Sequence, residues 1–457
     1  MKKKIVKIGN AQAFWGDRGN AAVRLLEGQP DLDYITLDYL SEVSMSIMAA
    51  QRAKDPHSGY AHDFLSVIRD LAPHWKRGSK VKVIANAGGL NPRECALACA
   101  EVLRQASCPE LSIGVVTGDD VVEILKKDSS GPLYRNLEST KPITSVLDRL
   151  TTANAYLGAR PIIEALLFGA DIVVTGRVAD PSLTVAPCIA YHGWRADDWN
   201  KIAQATLAGH LIECGTQVTG GISTNWLDLA DVNDIGFPFV EVDNEGHFVV
   251  TKPKGSGGAV SIDTVKEQLL YEIGDPSAYL SPDVTMSVLS VTLEETGKNR
   301  IAVKGAIGKA PPDSYKVSAT YRNGYKAEGM LTIFGRNCRE KAQRCGQAIL
   351  QEMRRNGMEP ENSLIECLGC GDVVPGVTPF GGARPDPFEC VLRVCVADSR
   401  MEVLEYFSKQ IAPMVTAGPQ GVTGYTSGRP HIRPIFGYWP CLIAVSDVTP
   451  HVEIIKS

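Results

Sequence analysis

The residues of this chain best suited to chemistry are charged side chains that directly follow short apolar runs. Arg177 and Asp180 follow the apolar run Ile172–Val174 and a Thr175-Gly176 turn in DIVVTGRVADPSLT. An arginine matches a carboxylate through two parallel hydrogen bonds, and an aspartate can exchange a proton. We therefore predict a small-molecule site, with Arg177 as a carboxylate clamp, Asp180 among the catalytic residues, and Thr175 and Gly176 contacting the substrate.

Other carboxylates hold comparable positions. Asp38 follows the predicted strand Tyr34–Leu37, and Asp119 and Asp120 follow Leu111–Val116. Each suits acid/base catalysis, and the Asp119–Asp120 pair also suits a divalent cation, the one cofactor that the residues suggest. Capping of the following helix explains Asp38 and Asp120 equally well, so both interpretations stay open.

A third candidate is the pair His210 and Glu213 in HLIEC. Spaced three residues apart, they share a face if the segment is helical, and Glu213 would then orient His210 for acid/base work. A histidine that merely satisfies a structural hydrogen bond is the alternative. Cys214 offers a nucleophile to a hydrolase or transferase, although a buried thiol is inert by default.

Two glycine-rich loops could bring backbone N–H groups to a ligand. Their candidate substrate-binding residues are Asn86, Gly88 and Gly89 in NAGGLNP, and Lys254, Gly257 and Gly258 in KPKGSGG. The lysine-bearing loop suggests an anion cradle. A simple turn and a flexible surface loop are the respective alternatives. Neither GxGxxG nor the Walker spacing occurs, which argues against dinucleotide binding and nucleotide hydrolysis.

The elements that must position these residues alternate between short apolar strands and amphipathic helices over residues 1–280. This alternation predicts an α/β domain with an open, mostly parallel sheet flanked by helices. Ligands of such sheets bind outside the carboxyl ends of the strands. We therefore expect Arg177 and Asp180 in one cleft with Asp38, Asn86 and Asp119. The sequence of residues 126–152 predicts that this segment has irregular structure.

Beyond a boundary near residue 280, the pattern predicts a second, α+β domain over 281–457. Strands are predicted at Tyr315–Tyr321 and Tyr325–Phe334, and a helix at Met401–Val415. The glycine-, proline- and arginine-rich stretch 418–434 predicts a rigid loop that reaches the first domain or another subunit, and we expect a homo-oligomer.

Composition excludes several classes of function. A net charge of -5 argues against nucleic-acid binding, and no apolar run of about 18 residues suggests a membrane span. The N-terminus leads into a strand predicted from Lys4 without an apolar leader, so we expect a cytoplasmic protein whose 12 cysteines are reduced. One CxxC, Cys367–Cys370, without a second pair or a neighbouring histidine does not define a metal site.

Several long stretches resemble the acyclic terpene utilisation protein A family. They include FWGDR, LDYLSEVSMSIMAAQRAKDP, NAGGLNPR, IVVTGRVADPSLT, AGHLIECGTQVTGG, VTKPKGSGG and QLLYEIGDP, and the resemblance spans nearly the whole chain. It implies a soluble catabolic protein, because the family is named for a gene cluster that degrades acyclic terpenes such as citronellol and geraniol through CoA thioesters. It assigns no catalytic residues.

Three functional hypotheses follow. The first is an enzyme of the hydratase or lyase type that acts on a small carboxylate or an acyl-CoA by acid/base chemistry. The second is a non-catalytic ligand-binding or scaffold subunit of a catabolic complex. The third is a cysteine-dependent hydrolase or transferase built on Cys214. We favour the enzyme, because polar residues at the ends of several strands are hard to explain as caps alone.

Overall fold

The structure, a computed structural model, describes residues 5–127, 131–374, 387–423 and 428–457. Lys4, where the first strand was expected to begin, residues 128–130 of the segment expected to be irregular, and residues 424–427 of the expected loop lie outside this range. The helices are α1 (Ala21–Gly28), α2 (Glu42–Lys54), α3 (Asp63–Lys76), α4 (Pro92–Gln105), α5 (Val122–Lys127), α6 (Arg160–Leu167), α7 (Ser182–His192), α8 (Trp199–Glu213), α9 (Ile262–Leu270), α10 (Cys338–Arg355), α11 (Met401–Phe407) and α12 (Met414–Ala417).

The strands are β1 (Ile5–Asn10), β2 (Tyr34–Leu37), β3 (Lys82–Ala85), β4 (Ser112–Thr117), β5 (Leu150–Ala155), β6 (Ile172–Thr175), β7 (Phe239–Asp243), β8 (Phe248–Thr251), β9 (Tyr279–Leu280), β10 (Thr285–Ser287), β11 (Thr292–Gly297), β12 (Arg300–Lys304), β13 (Ile307–Lys309), β14 (Ser314–Phe334), β15 (Asn362–Leu368), β16 (Glu389–Asp398), β17 (Arg433–Ala444) and β18 (His451–Lys456).

The chain forms two compact units. The first contains residues 1–320 and 438–457, and the second contains residues 321–437. Compactness does not establish independent folding, so the predicted domain boundary near residue 280 stays a prediction.

The first unit is built on a ten-stranded sheet with the order β11-β12-β8-β7-β1-β2-β3-β6-β4-β18. Its five central strands, β1, β2, β3, β6 and β4, pair in parallel. The flanking pairs are antiparallel. The α/β class is therefore correct, but the expected mostly parallel sheet is a mixed sheet with a parallel centre.

Burial explains why short apolar runs form the centre of this sheet. Strands β2 and β6 are buried along their whole length. Strands covered by helices on both faces read as continuous apolar runs rather than as alternating patterns. Helices α3 and α4 supply apolar side chains to one core, including Phe64, Leu71 and Leu103. The sheet therefore holds the loops after its central strands on a rigid base.

The segment expected to be irregular contains a strand. Its last residues open β5, which runs to Ala155 and leads directly into Tyr156. In the first unit β5 pairs with β14, and Thr152 and Thr320 share a hydrogen bond of 2.7 Å between their hydroxyl oxygens. A threonine-rich run without a neighbouring apolar stretch gave little sign of this pairing.

In the second unit β16 pairs antiparallel with β14 on one side and with β15 on the other. Strand β14 is continuous where two strands were expected. Gly324 adopts φ +84° within it, a value that glycine tolerates, so the expected break is an irregularity inside one strand. The single helix expected at 401–415 is two, because α11 ends at Phe407 and α12 begins only at Met414, directly after Pro413.

Among the described residues, no helix has both the length and the apolar character needed to cross a lipid bilayer.

Candidate functional site

A cavity of about 700 Å³ lies in the first unit, where the loops after β2 and β6 meet the end of α8. Titratable side chains line it, namely Asp38, Tyr156, Arg177, Asp180, His210, Glu213, Cys214, Tyr271, Glu272, Tyr279, Tyr315 and Lys316. The structure thus brings together five of the six residues that the sequence suggested as catalytic. Asp119 is the one that does not line this cavity.

Asp38 directly follows β2 and is only 5% exposed. Asn86, which follows β3, donates its side-chain N–H to Asp38 Oδ1 at 2.7 Å and accepts the Tyr39 backbone N–H at 2.6 Å. Burial, then the nearby Asp180 charge, raises the pKa of Asp38 well above its ordinary value, against the opposing effects of Arg177 and Asn86. Asn86 therefore positions Asp38 from behind rather than contacting the cavity.

Arg177 is buried beneath the cavity surface, with 3% of its side chain exposed. Its Nη1 donates to Asp180 Oδ1 at 2.6 Å and to the Val178 carbonyl at 3.1 Å. Its Cζ lies 3.9 Å from the centroid of the Tyr156 ring. Arg177 was expected to bind the carboxylate of a substrate. In the structure it binds the carboxylate of Asp180 instead.

Helix α8 carries His210 and Glu213 in its last turn. The helix is apolar all round and buried from Ile202 to Ile212, so it presents these polar groups in a largely dry environment. His210 Nε2 lies 3.0 Å from the Gln268 carbonyl oxygen, and Nδ1 lies 3.3 Å from Glu213 Oε1. Because a carbonyl can only accept, Nε2 carries a proton, and neutral His210 then presents an unprotonated Nδ1 to Glu213.

His210 Nδ1 is buried and forms no hydrogen bond among the described residues, so a proton on Glu213 Oε1 would remove the repulsion between these two acceptor atoms. Burial, followed by the charges of Asp180 and Glu272, raises the pKa of Glu213 well above its ordinary value. Burial lowers the pKa of His210. Both shifts favour the proton on Glu213 rather than on His210. Glu213 Oε2 is buried and has no hydrogen-bond partner among the described residues, so it is an unsatisfied acceptor in a residue that lines the cavity.

Asp119 holds the turn that carries Arg177. Its Oδ2 accepts the backbone N–H of Arg177 and the side-chain N–H of Asn154, each at 2.8 Å. Burial raises its pKa to about 6. Gly176 lies against this carboxylate, since an added Cβ would come within 2.3 Å of Asp119 Oδ1. Asp119 thus makes a positioning contact outside the cavity lining, and its expected role in catalysis stays a prediction.

The Asp119–Asp120 pair is not arranged as a cation site. Asp120 is exposed and accepts the Val122 backbone N–H at 3.1 Å, as a helix cap does. Its neighbour Asp119 faces the turn instead. No group of three metal-ligating side chains among the described residues is placed to hold an ion.

Packing against neighbouring segments accounts for the first glycine loop. An added Cβ would lie 2.6 Å from the Thr175 carbonyl oxygen at Gly88 and 2.1 Å from Met48 Sδ at Gly89. Gly89 also donates its N–H to the Asn86 carbonyl at 3.2 Å. These glycines allow close approach within the protein, and neither lines the 700 Å³ cavity. Thr175 is fully buried and donates to the Gly176 carbonyl at 2.8 Å.

The second glycine loop lies away from this cavity. Gly257 and Gly258 donate their N–H groups to the carbonyls of Asp234 and Ala230, at 2.8 and 3.0 Å. These amides are therefore not available to a substrate oxyanion. Lys254 is exposed and lines a different cavity of the first unit.

The cysteines do not show the features of an activated nucleophile. Cys214 lines the cavity, but burial and the neighbouring Glu213 raise the pKa of its thiol well above the ordinary value. Cys367 and Cys370 pack with the core of the second unit, and burial raises the pKa of both thiols. A raised thiol pKa opposes the thiolate that nucleophilic attack requires.

Sequence reasoning missed Tyr156, Glu272 and Lys316 at this cavity. Tyr156 directly follows β5. The search for polar residues after predicted strands, which selected Asp38, would therefore have selected Tyr156 once β5 was recognised. Glu272 and Lys316 follow no parallel strand, and no local pattern marks them.

The fold and the cavity together define an α/β protein with a buried acid–base cluster at the carboxyl ends of its parallel strands. The family model described as "Acyclic terpene utilisation family protein AtuA" matches residues 6–454, and the chain belongs to this family. No curated protein and no solved structure matches the chain significantly.

Proposed function

We propose that this protein is an enzyme of the hydratase or lyase type, which adds or removes water beside a carbonyl group. The observation that carries the proposal is the buried Glu213–His210 pair, whose Oε1 and Nδ1 lie 3.3 Å apart and whose Glu213 Oε2 has no hydrogen-bond partner among the described residues. Buried titratable groups whose pKa values are shifted from their ordinary values are typical of acid/base catalysis.

The protonation states of the side chains in the cavity are consistent with such a reaction. In a dehydration, Glu213 Oε2 takes the proton from the carbon beside the carbonyl, while the proton on Oε1 passes to His210 Nδ1. Asp38, whose raised pKa favours its protonated form, gives its proton to the departing hydroxyl, which leaves as water. The additional proton on His210 then passes to Asp38 through solvent, which restores the starting state. Hydration is the reverse sequence.

The same cluster favours an acyl thioester over a free carboxylate as the reacting group. Arg177 is already matched by Asp180, so a substrate carboxylate would have to displace that partner. A neutral thioester carbonyl instead accepts a hydrogen bond from a protonated carboxyl group. An acyl-CoA substrate, action in the cytoplasm and assembly into a homo-oligomer are parts of this proposal.

The proposal is tested by incubating the protein in D₂O with short-chain 3-hydroxyacyl-CoA and enoyl-CoA thioesters, and with free 3-hydroxy acids in parallel. Proton NMR follows deuterium incorporation and the gain or loss of water. We expect reaction of a thioester. A thioester that raises the melting temperature but returns without deuterium or chemical change would identify a binding protein instead.

A further inference from the structure

A second cavity of the first unit, of about 230 Å³, lies between α1 and the loops at 234–237 and 253–256. Arg18, Arg24 and Lys254 line it, and Asp234 is the one carboxylate among its lining residues. Three cationic side chains facing a single carboxylate give this cavity a positive potential, which favours an anionic ligand.

Only one of the three cations is neutralised within the described structure. Arg24 pairs with Asp234. Arg18 and Lys254 are exposed, and neither has an ion-pair partner among the described residues. Two cationic groups are therefore available to the same ligand.

Lys252 adds a buried positive charge behind the cavity wall. It is 6% exposed, and its Nζ donates to the Ser256 carbonyl at 2.5 Å and to Ser256 Oγ at 3.3 Å. No carboxylate among the described residues pairs with it. Burial, and then Lys298, lower its pKa. A buried charge without a counter-charge is costly, and an anion beside Ser256 would offset that cost.

The loop that carries Lys254 is held in place rather than simply exposed. Gly255 adopts φ +81° at its tip, which glycine permits readily. Gly28 is the last residue of α1, and a Cβ added to it would lie 2.7 Å from Pro253 Cβ. The helix and the loop are therefore in close contact. The walls of the cavity are therefore preformed.

We propose that this cavity binds a phosphate group, either as free phosphate or as part of a nucleotide. Phosphate carries up to two negative charges and several acceptor oxygens, which match an arginine fork, a lysine and a further cation nearby better than a single carboxylate does. The site goes beyond the proposed acid/base function and does not depend on it, because Asp38, His210 and Glu213 line the other cavity.

The test is calorimetric titration of the full chain with inorganic phosphate and, separately, with ADP. The double variant Arg18→Ala/Lys254→Ala removes both unpaired cations, and Lys266→Ala removes one exposed lysine of α9 as a charge control. We expect the double variant to weaken binding at least about tenfold, and Lys266→Ala to bind as the wild type does. Tighter binding of ADP than of phosphate identifies a nucleotide, and equal binding identifies the phosphate group alone.

Absence of binding of both ligands to the wild type would overturn this proposal, as would equal binding by the double variant. Glu213→Gln separates it from the proposed catalytic function. That variant should bind phosphate unchanged even though we expect it to lose turnover, so failure of one proposal is seen independently of the other.

Discussion

The protonation state of Glu213 follows from its surroundings at the scale of single residues. Burial and two neighbouring carboxylates act in the same direction on its pKa, and Arg177 only partly opposes them. The raised pKa favours the neutral carboxyl group, which becomes ionised only when the pH rises through that pKa. His210 stays neutral at pH 7 because its own pKa is lowered.

Infrared difference spectroscopy at pH 7 tests this directly. The wild type minus Glu213→Gln should contain the carbonyl band of a carboxylic acid, which converts to carboxylate bands as the pH is raised. The exposed Glu164 of α6 serves as the control, since wild type minus Glu164→Gln should contain carboxylate bands alone. Carboxylate bands in the Glu213 difference at pH 7 would rule out the proposed proton.

Asp119 makes a pH-dependent contribution to stability. Its pKa rises from 3.8 to about 6 on folding. Between these values the unfolded chain releases this proton while the folded protein keeps it, so the wild type loses stability as the pH rises. At 1.36 kcal/mol per unit, the full cost is on the order of 3 kcal/mol above pH 6.

Asp119→Asn keeps an acceptor for the Arg177 N–H and cannot ionise. Urea denaturation at pH 4 and pH 7 should therefore give a smaller loss of unfolding free energy in this variant than in the wild type. An identical pH dependence in the two proteins would contradict the assignment.

Much of the candidate site could be predicted at the scale of single residues, because residue types and the ends of strands can be read from short stretches of the sequence. Asp38, Arg177, Asp180, His210 and Glu213 lie together as expected. The sequence could not reveal that Asp180 already forms an ion pair with Arg177. It also could not reveal that Asn86 and Asp119 contact cavity residues without lining the cavity themselves. Those facts depend on side-chain directions that only the folded chain sets.

At the scale of elements, the turn between β6 and α7 connects the sheet to the cavity. Asp119, from the loop after β4, binds the Arg177 backbone and so fixes this turn to the neighbouring strand. Gly176 permits that contact, because its missing Cβ leaves room for the carboxylate.

Gly176→Ala should destabilise the protein by about 1–3 kcal/mol, as overpacking of a fixed contact typically does. Asp119 cannot retreat easily, since it is held by Arg177 and Asn154. Gly274→Ala is the matched control, because its Cβ would meet nothing within 4 Å. Equal urea midpoints for the two variants would show that the turn tolerates a side chain.

Element prediction succeeded where a buried run stood between clear turn signals, as at Tyr34–Leu37. It failed where long-range pairing decided the structure. The threonines of β5 form a strand because β14 lies beside them, and β14 continues through Gly324 to pair with β16 from Tyr325 onward. Neither cause is visible in a local window.

At the scale of the whole molecule, the C-terminal strand completes the sheet of the first unit. Strand β18 pairs with β4 from His451↔Thr117 to Lys456↔Ser112. It covers an edge of the sheet that would otherwise present unpaired backbone groups. The chain order gave no sign of this return, because the pairing joins segments more than 300 residues apart.

Deletion of residues 450–457 should therefore cause aggregation or loss of a cooperative unfolding transition, measured by light scattering and thermal denaturation. Lys456→Ala, which keeps the backbone pairing and removes one side-chain contact to Ser112, should stay within about 0.5 kcal/mol of the wild type. A deletion variant that unfolds like the wild type would mean that β18 is dispensable.

The most direct test of the central claim compares Glu213→Gln with Glu164→Gln on the thioester that reacts with the wild type. Both variants remove one carboxyl group, but only Glu213 belongs to the buried pair with His210. The rate of deuterium incorporation should fall by about 10²–10⁴-fold in Glu213→Gln and stay unchanged in Glu164→Gln. Equal rates in the two variants would contradict a role for Glu213 in proton transfer.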